Sequence, residues 1–372
     1  MTRQHPGGQP ATSRPSALVR ALTGGLVMAA ALGIGTAAGS AAAERVGLTG
    51  TAARLVPAVL VSALALVPVT LAVRRRGASL KALGLGGARA GQRAFLTGVG
   101  VTAASAVLVL GAGTAGGLLR WSRPDPLPLV GFLMTNAVIA LLLEALPEET
   151  TLRGYAWTAL RERFGGTASA LGTTAVFLLV PGTSTVAYAA TARLTGADPA
   201  PIGIVPPGQD TASYLILLPI FGLTLVAART AVGQAPLWAA IGTHLTFLTV
   251  NRVALEGDQR HAGWSATRTT PDAVLLVPAY LLVAAVVFML CRRMGRNGRL
   301  RTYDTRNGHP VPTRASRSAR RAASSAIRAS ITRIFSSNSA DNASAESGAS
   351  RSSSKFRPIS ASEKPSVCAV RT

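Results

Sequence analysis

The sequence predicts an all-α protein, a polytopic membrane helix bundle of about eight transmembrane helices with a disordered basic C-terminal tail. Three observations carry this. Of the 372 residues 48% are hydrophobic, and they gather into runs of about 20, the length that crosses a hydrocarbon core. Short polar loops bearing arginine separate the runs. After residue 291 the composition turns to Ser, Arg and Ala, too poor in apolar side chains to offset the entropy of folding. The expected organisation is a cytoplasmic segment at 1–16, a transmembrane domain at 17–291 and the tail at 292–372.

The runs fall at 20–43, 54–73, 94–117, 127–147, 167–188, 211–228, 233–250 and 272–291. The first follows Arg3, Arg14 and Arg20 and closes on Ala41-Ala42-Ala43. Its length, with further spans behind it, favours a retained helix over a cleaved signal peptide. Gly35 and Gly39 in it have the spacing that lets two helix backbones approach. The third run ends in Gly111-Ala112-Gly113-Thr114-Ala115-Gly116, which matches a dinucleotide-binding glycine pattern. It lacks the preceding strand and the acidic partner such a site needs, so it reads as packing or a turn. The sixth and seventh runs, separated only at 228–232, read as a tight hairpin.

Net charge is +23, and the tail alone holds 17 Lys plus Arg against 4 Asp plus Glu. On a membrane domain this favours anionic lipid headgroups as the tail's partner, with no nucleic acid expected. Ile327, Ile331, Ile334 and Phe335 recur at helical spacing among arginines and could lie along a leaflet. Placing the N-terminus inside puts ten basic residues in inner loops and eight in outer ones, with Arg74-Arg75-Arg76 and Arg292-Arg293 on the inner side. Both termini are then cytoplasmic. Three lysines against 35 arginines, with abundant Ala and Gly, suggest a GC-rich bacterial gene and hence the bacterial plasma membrane. Cys291 and Cys368 have no metal or redox spacing, and Cys368 does not form a prenylation box.

The fourth run carries the residues that could do chemistry. It contains Asn136 and Glu144 and meets Pro147 and then Glu148-Glu149-Thr150-Thr151-Leu152-Arg153, read as the end of the apolar helix. A carboxylate at membrane depth costs roughly 2.5 to 3.5 kcal/mol, so a chain that keeps three there has a use for one. Glu144 and Glu148 share a helix face, and Glu149 and Arg153 are spaced to pair. A Glu in a dry site can take a proton from water near neutral pH. The structural alternative makes Glu148 and Glu149 first-turn partners of a helix dipole starting at Pro147. His244 is the one histidine of four that falls within a run; His5, His261 and His309 do not. Asn251 follows two turns later on the same face.

Glu148 to Tyr155 with the basic Ala159-Leu160-Arg161-Glu162-Arg163-Phe164-Gly165 resembles the first motif, EExxxR, of the CPBP membrane proteases. This is the Abi group of CAAX-protease-like and bacteriocin-processing proteins. Gly77 to Leu85 resembles the family's lead-in, and the core of the resemblance covers 128–253. The resemblance implies a CPBP-type intramembrane endopeptidase that cleaves a peptide or membrane protein with glutamate-activated water. Its site residues would be Glu148, Glu149, Arg153 and His244. Zinc is the metal the family could use, with Glu148 and His244 as candidate ligands. The second motif, FxxxH, is Phe177-Leu178-Leu179-Val180-Pro181 here, with Pro in place of His. The third, HxxxN or HxxxD, is His244 followed by Leu248. Two other functions compete. A catalytically inactive binding or immunity partner on the same fold is suggested by Pro181 and Leu248. A proton-coupled transporter is suggested by intramembrane carboxylates, though the two halves show no repeat.

Overall fold

The computed structural model describes residues 14–205 and 210–300, with backbone alone for 14–15 and 295–300. Arg3, His5, His309, Cys368 and the tail from 301, with its Ile327–Phe335 pattern, lie outside the described residues, whereas 292–300, expected to be disordered tail, continue the last helix.

Among the described residues eight long helices form the bundle: α1 (Arg14–Arg45), α2 (Gly50–Arg75), α3 (Ala88–Ala115), α4 (Pro126–Arg161), α5 (Gly166–Thr195), α6 (Thr211–Ala231), α7 (Leu237–Ala254) and α8 (Leu276–Leu300). All except α7 are long and apolar enough to cross a membrane. His244, Asn251, Arg252 and three threonines lower the hydropathy of α7. It tolerates them because much of its surface is covered by other helices, Leu237 and Ala239–His244 being buried. The chain is therefore a multi-pass membrane protein with an all-α core.

Helix α1 packs along α2 and α5, α3 along α7, and α8 along α6 and α3. Small residues set these contacts. A Cβ at Gly39 would lie 2.5 Å from Pro57 Cα, and one at Gly35 2.6 Å from Val61 Cγ2, so the sequence spacing does bring α1 onto α2. At α3 and α7 the approach is mutual. A Cβ at Gly98 would meet Ala239 O at 2.2 Å, and one at Gly242 would meet Phe95 O at 2.4 Å. Gly113, from the glycine pattern at the end of α3, packs on Leu276 of α8.

The fourth helix corrects the sequence reading. It does not end at Pro147 but runs on to Arg161. Proline usually breaks a helix because it lacks an N–H and its ring strikes the carbonyl of the preceding turn. Here Leu141–Ala145 winds as a π-helix, whose wider turn leaves room for the ring. Pro147 cannot donate to the carbonyl of Leu142, and the Ser62 hydroxyl of α2 donates to it instead. Neighbouring hydroxyls serve prolines in membrane helices in this way. A second π-helix, Glu149–Ala156, holds most of the EExxxR motif, so the paired carboxylates lie mid-helix in the protein interior.

Two features lie outside the sequence expectation. A short antiparallel ladder joins β1 (Leu119–Trp121) to β2 (Ala266–Arg268), pairing Arg120 with Thr267. Trp121 and Trp264 stack beside it, 4.5 Å between centroids. The sixth and seventh runs are a hairpin, but α7 begins at Leu237, four residues later than expected, with Val232–Pro236 as the turn.

Candidate functional site

Each sequence-predicted site residue converges on one point between α4 and α7. Glu149 Oε1 lies 3.0 Å from His244 Nδ1 and 3.4 Å from Arg153 Nη1. Glu148 Oε2 lies 4.0 Å from His244 Nε2. The two adjacent carboxylates thus address the two nitrogens of one imidazole. In a regular α-helix consecutive side chains diverge by about 100°, since a turn holds about 3.6 residues. The π-helix that begins at Glu149 accommodates both toward α7.

The imidazole is fixed from a second direction. Phe221 of α6 presents an edge-to-face contact to it, 4.9 Å between centroids. Phe247, one turn along α7 from Thr243, stacks on Phe221 at 4.1 Å. The ionised Glu149 carboxylate only accepts, so His244 Nδ1–H donates to it and Nε2 is turned to Glu148. A carboxylate in this position orients the ring.

Arg153 is fully buried, and its guanidinium lies over the Phe177 ring of α5, 4.2 Å from the centroid. It makes no hydrogen bond, so the Glu149 charge and the ring are what compensate it. Phe177 is the residue that opens the second motif. Pro181 lies within α5 one turn beyond it, with no side-chain donor or ligand to offer. Leu248 likewise leaves the third motif with His244 alone.

Three arginines counted as loop residues in the orientation argument are instead engaged inside the bundle. One is Arg153. Arg229 is buried at the end of α6 and donates to Leu83 O at 2.9 Å, holding the 3₁₀ turn Leu80–Leu83. That lead-in is also held from α7, where Leu237 N donates to Gly84 O at 3.1 Å and Trp238 Nε1 to Leu85 O at 2.9 Å. The third is Arg252, which pairs through Nη2 with Glu144 and through Nη1 with Asn136 Oδ1 at 3.1 Å. Asn136 Nδ2 donates in turn to Thr249 Oγ1 at 3.2 Å. Glu144 is thus neutralised by Arg252, which sequence reasoning did not foresee. The available signal was spacing, since 244, 248 and 252 follow one face of α7. Asn251, expected to follow His244, instead turns its amide back to Phe247 O at 3.0 Å.

The donor set does not fit zinc. A catalytic zinc takes three protein ligands at about 2.0–2.2 Å for nitrogen and oxygen. Glu148 and His244 Nε2 supply two, Glu149 is committed to His244 Nδ1 and Arg153, and no group of three His, Cys, Asp or Glu converges among the described residues.

Fold and site together define a membrane-embedded carboxylate–histidine centre on a helix bundle. Residues 130–250, about a third of the chain, match the family model described as Rce1-like, type II CAAX prenyl endopeptidase Rce1-like, which supports a CPBP/CAAX-protease assignment for this segment. The match spans every residue of the centre. No curated protein and no solved structure matches the chain.

Proposed function

We propose that the protein is an intramembrane endopeptidase that hydrolyses a peptide or membrane-protein segment with water activated by Glu148. The observation that carries this is the placement of Glu148 and Glu149 on opposite nitrogens of His244, at 4.0 and 3.0 Å. A water hydrogen-bonded at about 2.8 Å to both Glu148 and Nε2 fits across that gap. Glu148 takes its proton as the oxygen attacks the scissile carbonyl. The imidazolium, held by Glu149 through Nδ1, donates from Nε2 to the oxyanion. Glu148 then returns the proton to the departing amine. Arg153 pairs with Glu149 and rests on Phe177 of α5. The family that 130–250 matches is a protease family, which supports the same reading.

The test is turnover of a peptide library by purified protein in detergent. Glu148→Gln is expected to lower kcat by about 10²- to 10⁴-fold, the range for loss of a general base. Equal cleavage by both proteins would sink the assignment. Pro181 and Leu248 favour a second reading, a non-catalytic partner on the same fold. On that reading Glu148→Gln leaves the cellular phenotype intact while deletion of the whole protein abolishes it.

A further inference from the structure

The polar side chains around the centre differ in exposure, and the difference has a direction. Side-chain accessibility is 0% for Arg153 and Glu149, 3% for His244, 11% for Glu148 and 21% for Glu144. Arg252, paired with Glu144, is 13% accessible. On the other side of Glu149, Arg229 holds the Leu80–Leu83 turn, and Leu237 and Ile241 are buried. Charges left to lipid are costly, and the accessible pair lies on the side of the centre toward the α4 N-terminus and the α7 C-terminus.

A clamp between α4 and α7 has no need of charge. Burying an ion pair is at best neutral against apolar packing in most proteins, and Asn136 with Thr249 already ties the same helices. What a guanidinium held by a carboxylate and an amide does offer is a forked donor already shaped for a carboxylate. Glu144 precedes Glu148 by four residues, about 6 Å along the helix. A carboxylate seated where Glu144 now sits would be about two extended residues from a carbonyl held at Glu148, at about 3.3 Å per residue.

On the endopeptidase reading above, we propose that Arg252 is a carboxylate-binding subsite for the substrate, occupied at rest by Glu144. The carboxylate belongs either to the substrate's C-terminus or to an acidic side chain near the cleaved bond. Arg252 thereby sets which peptides are cleaved and where they stop, while the centre supplies the chemistry.

Binding to the Glu148→Gln protein tests this without turnover. The probes are a fluorophore-labelled apolar hexapeptide with a free C-terminus, its C-terminal amide, and the amide with aspartate as last residue, all in detergent. At least one carboxylate peptide is expected to bind about tenfold more tightly than the plain amide, and which one does so identifies the source. Adding Arg252→Gln should bring that ratio close to one, whereas adding Glu144→Gln should widen it by removing the resident competitor. If the Arg252→Gln protein does not fold, Arg252→Lys keeps the charge without the fork and should narrow the ratio. Equal binding of all three peptides, or a ratio untouched by either Arg252 change, overturns the subsite. Weaker binding of the carboxylate peptide after Glu144→Gln overturns it too, in favour of a clamp. Failure of the endopeptidase reading is separate, since it shows as Glu148-independent cleavage or none.

Discussion

At the scale of single residues, the centre is a chain of mutual obligations that begins with Arg153. It is fully buried without a hydrogen bond and rests on Glu149 and Phe177. Truncating one partner of a buried pair strands the other charge, a loss of about 3–5 kcal/mol. Arg153→Met is therefore expected to lower the melting temperature in detergent sharply, and Glu149→Gln, which keeps an acceptor for His244 Nδ1–H but leaves Arg153 without its counter-charge, to lower it as well. Glu149→Gln should also lose about 10²- to 10⁴-fold in kcat, because the imidazolium loses its counter-charge. A wild-type rate in Glu149→Gln would remove Glu149 from the mechanism. The donor set gives a further expectation. With two ligands converging and proline at 181, activity should withstand a strong chelator. Loss of activity restored by added zinc would refute that. The four principal residues were readable from sequence because their spacing survives in one motif and one histidine. Arg252 and Arg229 were not, since a linear count assigns an arginine near a helix end to the loop. Their long side chains reach back along the helix to partners more than 100 positions away.

At the scale of elements, what positions the centre is the winding of α4 and the seating of α7. The helix boundaries near Pro147 were misread because proline ends most helices, and no local rule announces that a π-turn and the Ser62 hydroxyl will absorb it. The glycine contacts were half legible. Gly35 and Gly39 declare themselves by spacing, while Gly98 and Gly242 sit in different helices and meet only through the fold. The latter pair matters more for function, because Gly242 is two residues from His244. Gly242→Ala pushes a Cβ into the Phe95 carbonyl, and α7 must shift away from α3 to relieve it. Gly39→Ala creates a similar clash between α1 and α2, away from His244. Each is expected to cost about 1–3 kcal/mol in stability, as overpacking does. Only Gly242→Ala should also reduce kcat, by about 10²-fold, since misplacing a catalytic group by an ångström has that effect. Parallel losses in melting temperature without this divergence in kcat would show that α7 is not what places the imidazole.

At the scale of the whole molecule, the structure changes the grounds for orientation in the membrane. Loop counting gives ten basic residues inside and eight outside with the N-terminus inside. Arg153, Arg229 and Arg252 now leave the count, because each is engaged within the bundle. The balance falls to eight against seven, too even to orient the chain. The weight moves to clustering, since Arg74-Arg75-Arg76 closes α2 on exposed positions and nothing comparable stands at the other end. Juxtamembrane clusters on the cytoplasmic side are what insertion reads. If α7 also crosses, the passes are even, and both ends of the bundle are expected on the face that holds this cluster. Single-cysteine labelling tests this in a background where Cys291 and Cys368 are serine. Thr49→Cys, in the α1–α2 loop, is expected to react with an impermeant maleimide in intact cells. Ala78→Cys, beside the arginine cluster, should react only after lysis. The reverse pattern would invert the molecule and place the Arg252–Glu144 pair on the cytoplasmic side of the centre. On the subsite proposal, substrates would then approach the centre from the cell interior, whereas the expected pattern puts that approach on the outside.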